Sequence, residues 1–168
     1  MKNFRGFTLI ELMIVVGIIS ILTLIAVPTT TRLLPKYQLG RAARDMVSTL
    51  RRARSLALMN HRDVTVRFSM ADSNYTVNGT LALPLGCTRL NTCYGAGVEF
   101  GIPGSSSDAI TFTDDAITFN SMGFPKSGNT NKFVYLRNSK DSGYRIEVRG
   151  LAGTIRLDQC GAPGVTCN

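Results

Sequence analysis

Residues 7–27, FTLIELMIVVGIISILTLIAV, constrain this chain more than any other segment, because they are apolar apart from one carboxylate, Glu11. A helix of that length rises about 30 Å, the thickness of a bilayer's hydrocarbon core. A lone acid at the centre of such a span costs about 2.5–3.5 kcal/mol on insertion scales. Glu11 is therefore read as a functional group that requires a cationic partner. A secretory signal would end in a small-residue A-x-A site, and none follows the run. A plain anchor would have no use for Glu11.

Ahead of the run stands a short basic leader with Lys2 and Arg5, followed by GFTLIELMIVVGIISILTLIAVP. This arrangement resembles the class III signal of type IV pilins and pseudopilins. The resemblance implies that a prepilin peptidase cuts between Gly6 and Phe7, and that the new amino terminus at Phe7 is N-methylated. Glu11 then stands four residues from that amine. It can pair with the terminal amine of a neighbouring subunit staggered by one step. Buried opposite charges attract strongly when well oriented, and an unpaired one is penalised. Glu11 is thus expected to set the register of helices packing side by side.

The chain has 168 residues, enough for one membrane helix and one domain of ordinary size. Nineteen basic side chains against 11 acidic ones give a net charge of +8. That balance favours acidic partners such as nucleic acid or anionic lipid, although a solvated basic surface accounts for it equally. Lys2 and Arg5 on one side of the run nearly match Arg32, Lys36 and Arg41 on the other, so charge alone does not orient it. The four cysteines, Cys87, Cys93, Cys160 and Cys167, form two short-range pairs, which suits disulfides in an oxidising compartment. Three connectivities are open to four cysteines. The local one, Cys87 with Cys93 and Cys160 with Cys167, is favoured because each closes a short loop. The resemblance also implies a single-pass inner-membrane protein with its C-terminal domain in the periplasm.

Pro28 is expected to end or kink the apolar helix, and Pro35 and Gly40 mark a second weak point. Beyond them, residues 39–60 read as an amphipathic helix. Leu39, Ala43, Met46, Leu50, Ala53 and Ala57 recur at spacings of three and four and form the docking stripe. Arg41, Arg44, Arg51, Arg52 and Arg54 fall mostly on other faces, as a solvated side requires. After His61 the pattern turns to period two. Strands are predicted over 64–68, 75–77, 97–100, 109–112, 116–119, 133–137, 144–149 and 154–157, separated by turn-rich breaks. The fold class is α+β: a long N-terminal helix, membrane-spanning in its first half and amphipathic in its second, packed on an antiparallel β domain. The expected divisions are a leader at 1–6, an assembly helix at 7–27, its amphipathic continuation at 28–60 and a β-rich domain at 61–168.

Two further stretches narrow the resemblance. Residues 41–68, RAARDMVSTLRRARSLALMNHRDVTVRF, are similar to the Arg- and Ala-rich helix and first strand of minor pilins and pseudopilins of the GspH/FimT/FimU type. Ile117-Thr118-Phe119-Asn120-Ser121-Met122-Gly123 resembles that family's strand and turn, and residues 144–157 its closing hairpin. The implied function is a structural subunit, not an enzyme, that assembles with other pilin subunits into a pilus or its tip complex. The same subunit in a type II secretion system is the alternative.

Catalytic and metal chemistry find no support in the residues. His61 is the single histidine, which excludes a multi-histidine metal site. Asp114-Asp115 reads as a hairpin turn in preference to a weak calcium site. The cysteines lack zinc-type paired spacing. No cofactor is expected. DNA is a second alternative partner, because some members of the resembled family bind it near a C-terminal Gly-Arg-x-Arg strand. Here that stretch is Gly153-Thr154-Ile155-Arg156, with a threonine for the first arginine. Arg145, Arg149 and Arg156 are the DNA-contact candidates, diluted by Glu147 and Asp158.

Overall fold

A computed structural model describes residues 7–84, 86–95, 97–126, 131–150, 152–161 and 167, without the side chains of 25–32. The first element is helix α1, Leu9–Asn60. It starts where it does because the Thr8 hydroxyl accepts a hydrogen bond from Glu11 N–H at 3.3 Å. That is the bond an N-cap side chain makes to a first-turn amide otherwise left without a partner. Pro28 and Pro35 do not end the helix, so of the two outcomes expected at Pro28, an end or a kink, the end does not occur. Each proline removes one donor, and the surrounding i→i−4 bonds carry the helix onward. Asn60 is its last residue, followed by His61 in the left-handed region at φ 49°, the conformation that closes many helices. The chain divides into two compact units, Met1–Leu34 and Pro35–Asn168, each considered by itself.

In the second unit, α1 buries Leu39, Ala42, Ala43, Met46, Val47, Leu50, Ala53 and Ala57. All six residues of the expected stripe are in this set. Ala42 and Val47 widen it to the breadth that a helix needs to lie on a sheet. Each large apolar side chain so buried contributes about 1.5–3 kcal/mol.

Among the described residues eight strands follow: β1 Val64–Ser69, β2 Asn74–Val77, β3 Thr80–Leu81, β4 Glu99–Phe100, β5 Ala116–Phe119, β6 Lys132–Arg137, β7 Gly143–Arg149 and β8 Thr154–Gln159. They form two antiparallel sheets ordered β3-β2-β1-β5 and β4-β6-β7-β8. Strict alternation sets the faces. In β1, Val64, Val66 and Phe68 point into the core while Thr65, Arg67 and Ser69 point out. Phe68 joins the two sheets, since its ring lies 5.9 Å from that of Phe100 in edge-to-face contact.

Two expectations are corrected. Residues 109–112 form no strand, only a single bridge between Ile110 and Val134. Phe112 serves the core instead, stacked on Phe68 at 5.6 Å. Asp114-Asp115 is consequently not a hairpin turn. It lies in a 3-10 turn, Thr113–Asp115, that leads into β5, and β5 pairs with β1. A short helix, α2 Leu90–Tyr94, was not legible, because five residues are too few to show a period. Leu90 and Tyr94 are its buried anchors.

The turn after β5 explains its resemblance motif. Asn120 Oδ1 accepts from Met122 N–H at 3.0 Å and from Phe124 N–H at 2.9 Å. Gly123 has φ +73°, and a Cβ there would meet Leu58 of α1 at 3.0 Å. Only glycine suits both conditions.

Candidate assembly segment and basic face

The first unit presents an apolar surface with one charge. Phe7, Leu9, Ile10, Leu12, Met13, Ile14, Val16, Ile18, Ile19, Ile21, Leu22 and Leu24 are all more than half exposed. Such a contiguous apolar surface marks a site of association with protein or lipid. The polar groups within it are internally satisfied. Ser20 Oγ donates to Val16 O at 2.7 Å, and Thr23 Oγ1 donates to Ser20 O at 2.8 Å. Hydroxyls bonded back to their own helix present little polarity to an apolar neighbour.

Glu11 is the one ionisable residue from Leu9 to Leu24. Its amide is held by Thr8, so its carboxylate sits in the first turn, where the helix dipole is positive. Sequence reasoning missed this local role, although the spacing Thr8-x-x-Glu11 is a capping-box signature. Phe7, the expected methylation site, lies just ahead and is 81% exposed. Gly6, the other side of the expected cut, lies outside the described residues. Among the described residues no helix is long and apolar enough to cross a membrane. The expected span falls partly on residues 25–32, whose side chains lie outside the described residues.

The candidate DNA contacts come together, but not as free charges. Arg145 and Arg149 share the outer face of β7, and Arg156 on β8 stands directly opposite Glu147 between them. Arg145 Nη2 bonds Asp158 Oδ2 at 3.3 Å and its guanidinium lies 5.2 Å from the Phe133 ring centre. Arg149 Nε bonds Glu147 Oε1 at 3.0 Å. Glu147 is only 2% exposed, and its Oε2 has no hydrogen-bond partner among the described residues. Two of the three arginines thus answer to carboxylates in the same chain, and Arg156 makes no ion pair among the described residues. The dilution expected from Glu147 and Asp158 is specific pairing.

The cysteines divide. Cys160 and Cys167 form a disulfide with Cα atoms 5.6 Å apart, and Cys167 is buried. Cys87 and Cys93 are free thiols, so the second expected disulfide is not closed in this structure. The two side chains are neighbours; burial and then Cys87 push the Cys93 thiol up to about 12, which holds it protonated. A protonated thiol is the unreactive form.

Beside them lies a polar lock between α2 and α1. The Tyr94 hydroxyl donates to Asp45 Oδ2 at 2.9 Å. Tyr75 packs next to it, with burial pushing its hydroxyl up to about 12. Burial, Tyr75 and the Asp45 carboxylate raise Tyr94 further still. No group of acidic, cysteine or histidine residues among the described residues is arranged to hold a metal ion.

Comparison with known proteins agrees with this geometry. The prokaryotic N-terminal methylation motif matches residues 1–27, and the family described as type II transport protein GspH matches residues 42–153. A fimbrial protein of Pseudomonas aeruginosa is 39% identical over 80 residues, or 48% of this chain and 51% of that protein. The chain thus spans about half the length of the curated relatives it matches. The crystal structure of the type IV minor pilin FimU of Pseudomonas aeruginosa has a TM-score of 0.52 at 19% identity, over 84% of this chain and 100% of that one. The minor pseudopilin EpsH of the Vibrio cholerae type 2 secretion system gives 0.48 at 16% identity, over 76% and 98%. The FimU likeness shows a shared fold.

Proposed function

The chain belongs to the GspH family of type II transport proteins, and on that premise we propose that it is a minor type IV pilin of the FimT/FimU kind. It is a structural subunit and not a catalyst. The observation that carries this reading is the segment around Glu11: an exposed apolar helix whose hydroxyls bond to its own backbone, with one carboxylate in its first turn. In this reading residues 7–27 cross the inner membrane and the β-rich unit lies in the periplasm. A prepilin peptidase removes residues 1–6, and Phe7 is N-methylated. Glu11 then pairs with the terminal amine of the adjacent subunit as helices pack laterally into a pilus or its tip complex. A charge pair within an apolar bundle favours the one register that brings its members together.

Mass spectrometry of the protein from cells containing the peptidase tests this directly. The mature chain should begin at an N-methylated Phe7. An intact Met1 in such cells would sink the reading. The corresponding subunit of a type II secretion system uses the same segment in the same way, so neighbouring genes for pilus assembly or for secretion separate the two. DNA uptake draws less support, because Asp158 and Glu147 occupy Arg145 and Arg149.

A further inference from the structure

We propose that the open edge of β8, with the groove between it and α1, is a docking site for an extended acidic segment of a partner polypeptide. Strand β8 is the outermost strand of its sheet. Cys160 N–H donates across to Gly143 O at 3.0 Å. The alternation of an antiparallel ladder therefore turns the backbone groups of Ile155, Leu157 and Gln159 away from β7. No other described residue hydrogen-bonds to them. A row of such groups is a template for one more strand.

The remaining edges are closed or short. Along β5, Lys126 N–H donates to Thr118 O at 2.8 Å and Asn120 N–H to Phe124 O at 2.8 Å. Strands β3 and β4 have two residues each. Among the described edges, β8 is the one both open and six residues long.

At the start of β8 a groove of about 390 Å³ is lined by Arg51, Arg54, Ser55 and Leu58 of α1 with Thr154 and Ile155. Arg54 Nη1 donates to Gly153 O at 3.3 Å, which fixes the guanidinium beside the strand, while its Nε is buried without a partner among the described residues. Arg51 is exposed and makes no ion pair among the described residues. The contrast with the rest of the sheet is direct: Arg137, Arg145 and Arg149 each bond a carboxylate of this chain. Among the described residues no carboxylate lines the groove. Its walls supply donors for an incoming acid, Leu58 and Ile155 supply apolar contact, and the edge supplies a backbone ladder. An extended peptide alternating acidic and β-branched side chains meets all three. A nucleic acid meets only the arginines, because it has no amides to pair with the edge.

The test is a fluorescence anisotropy titration of the full-length protein in detergent micelles. The probe is a short peptide of alternating Glu and Val. Matched probes carry Lys for Glu, or N-methyl groups on every second amide, and a short DNA duplex serves as the competing chemistry. The Glu–Val peptide should bind, and both altered peptides should lose binding. Arg51→Gln should weaken the Glu–Val peptide about tenfold, the value of one charge-assisted hydrogen bond, with thermal melting unchanged. Leu157→Pro removes an outward N–H without touching the ladder to β7 and should weaken it as well. If that variant misfolds, the N-methylated probe reads the same contact from the peptide side. The proposal is overturned by absence of binding, by equal binding of the N-methylated peptide, or by indifference to Arg51→Gln. It is also overturned if duplex DNA binds through Arg51 and Arg54 and the peptide does not displace it. None of these outcomes touches leader processing at Phe7, so the assignment as a pilin stands or falls separately.

Discussion

Thr8 Oγ1 and Glu11 N–H are hydrogen-bonded at 3.3 Å, so the residue assigned to subunit register also lies in the cap that starts its own helix. The two roles use different atoms. The cap uses the Glu11 amide, which any residue provides, while the proposed register role uses the carboxylate. Thr8→Val should remove the cap and weaken the helix start by about 1 kcal/mol while assembly continues. Glu11→Val keeps the amide and lowers the cost of membrane insertion, yet should abolish or slow assembly. Counting surface pili in complemented strains separates the two. Normal piliation by Glu11→Val would show that the carboxylate has no register role.

The lock between Tyr94 and Asp45 predicts alkaline sensitivity. Tyr75 has a hydroxyl raised from 10.0 to about 12, and the Cys93 thiol is raised from 9.0 to about 12. Groups whose folded pKa is raised stabilise the fold fully below their unfolded pKa, and that stability is lost as pH climbs through the folded value. Stability should therefore be level on the neutral side, then decline between about pH 9 and pH 12. Tyr94→Phe should cost about 1–2 kcal/mol at neutral pH by removing the bond to Asp45, and should flatten part of the alkaline decline. Urea titrations across that pH range measure both effects.

Alkylation under denaturing, non-reducing conditions should label Cys87 and Cys93 and spare Cys160 and Cys167. Replacing both members of the closed pair with Ser should lower stability by roughly 2 kcal/mol on the chain-entropy estimate for so short a loop. Mild oxidation should join Cys87 to Cys93, which are neighbours, and peptide mapping should then find that cross-link beside the existing one between Cys160 and Cys167. A link between Cys87 and Cys160 would contradict the placement of the two loops.

Binding of duplex DNA to the full-length protein should be weak and should fade steeply from low to physiological salt. Changing Arg145, Arg149 and Arg156 together to Gln should alter it little, since two of the three already pair with Asp158 and Glu147. Glu147→Gln should strengthen it by releasing Arg149. Tight binding lost in the triple variant would instead make DNA a principal partner.

A core substitution separates folding from assembly. Leu50 is fully buried on the docking stripe of α1. Leu50→Ala should cost about 2–5 kcal/mol, read as a lowered urea midpoint. Leu22→Ala lies in the exposed apolar segment and should leave the fold of the second unit unchanged.

What the sequence by itself determined is whatever rests on local pattern. The apolar run with its single acid is plain in the order of residues. The stripe from Leu39 to Ala57 and most strands were equally plain, because period and turn chemistry act over a few residues. Tertiary structure decided the rest, because it brings together positions far apart in the chain. Phe112 reads as a strand residue and becomes a core ring, since Phe68 stands ready to stack on it. Arg145 and Arg149 read as a basic patch, and only the register of β7 against β8, with the burial of Glu147, shows their charge already answered. The open edge of β8 beside Arg51 and Arg54 exists only once α1 lies against that sheet. Periodicity states which face a residue takes; which partner meets it there is set by packing.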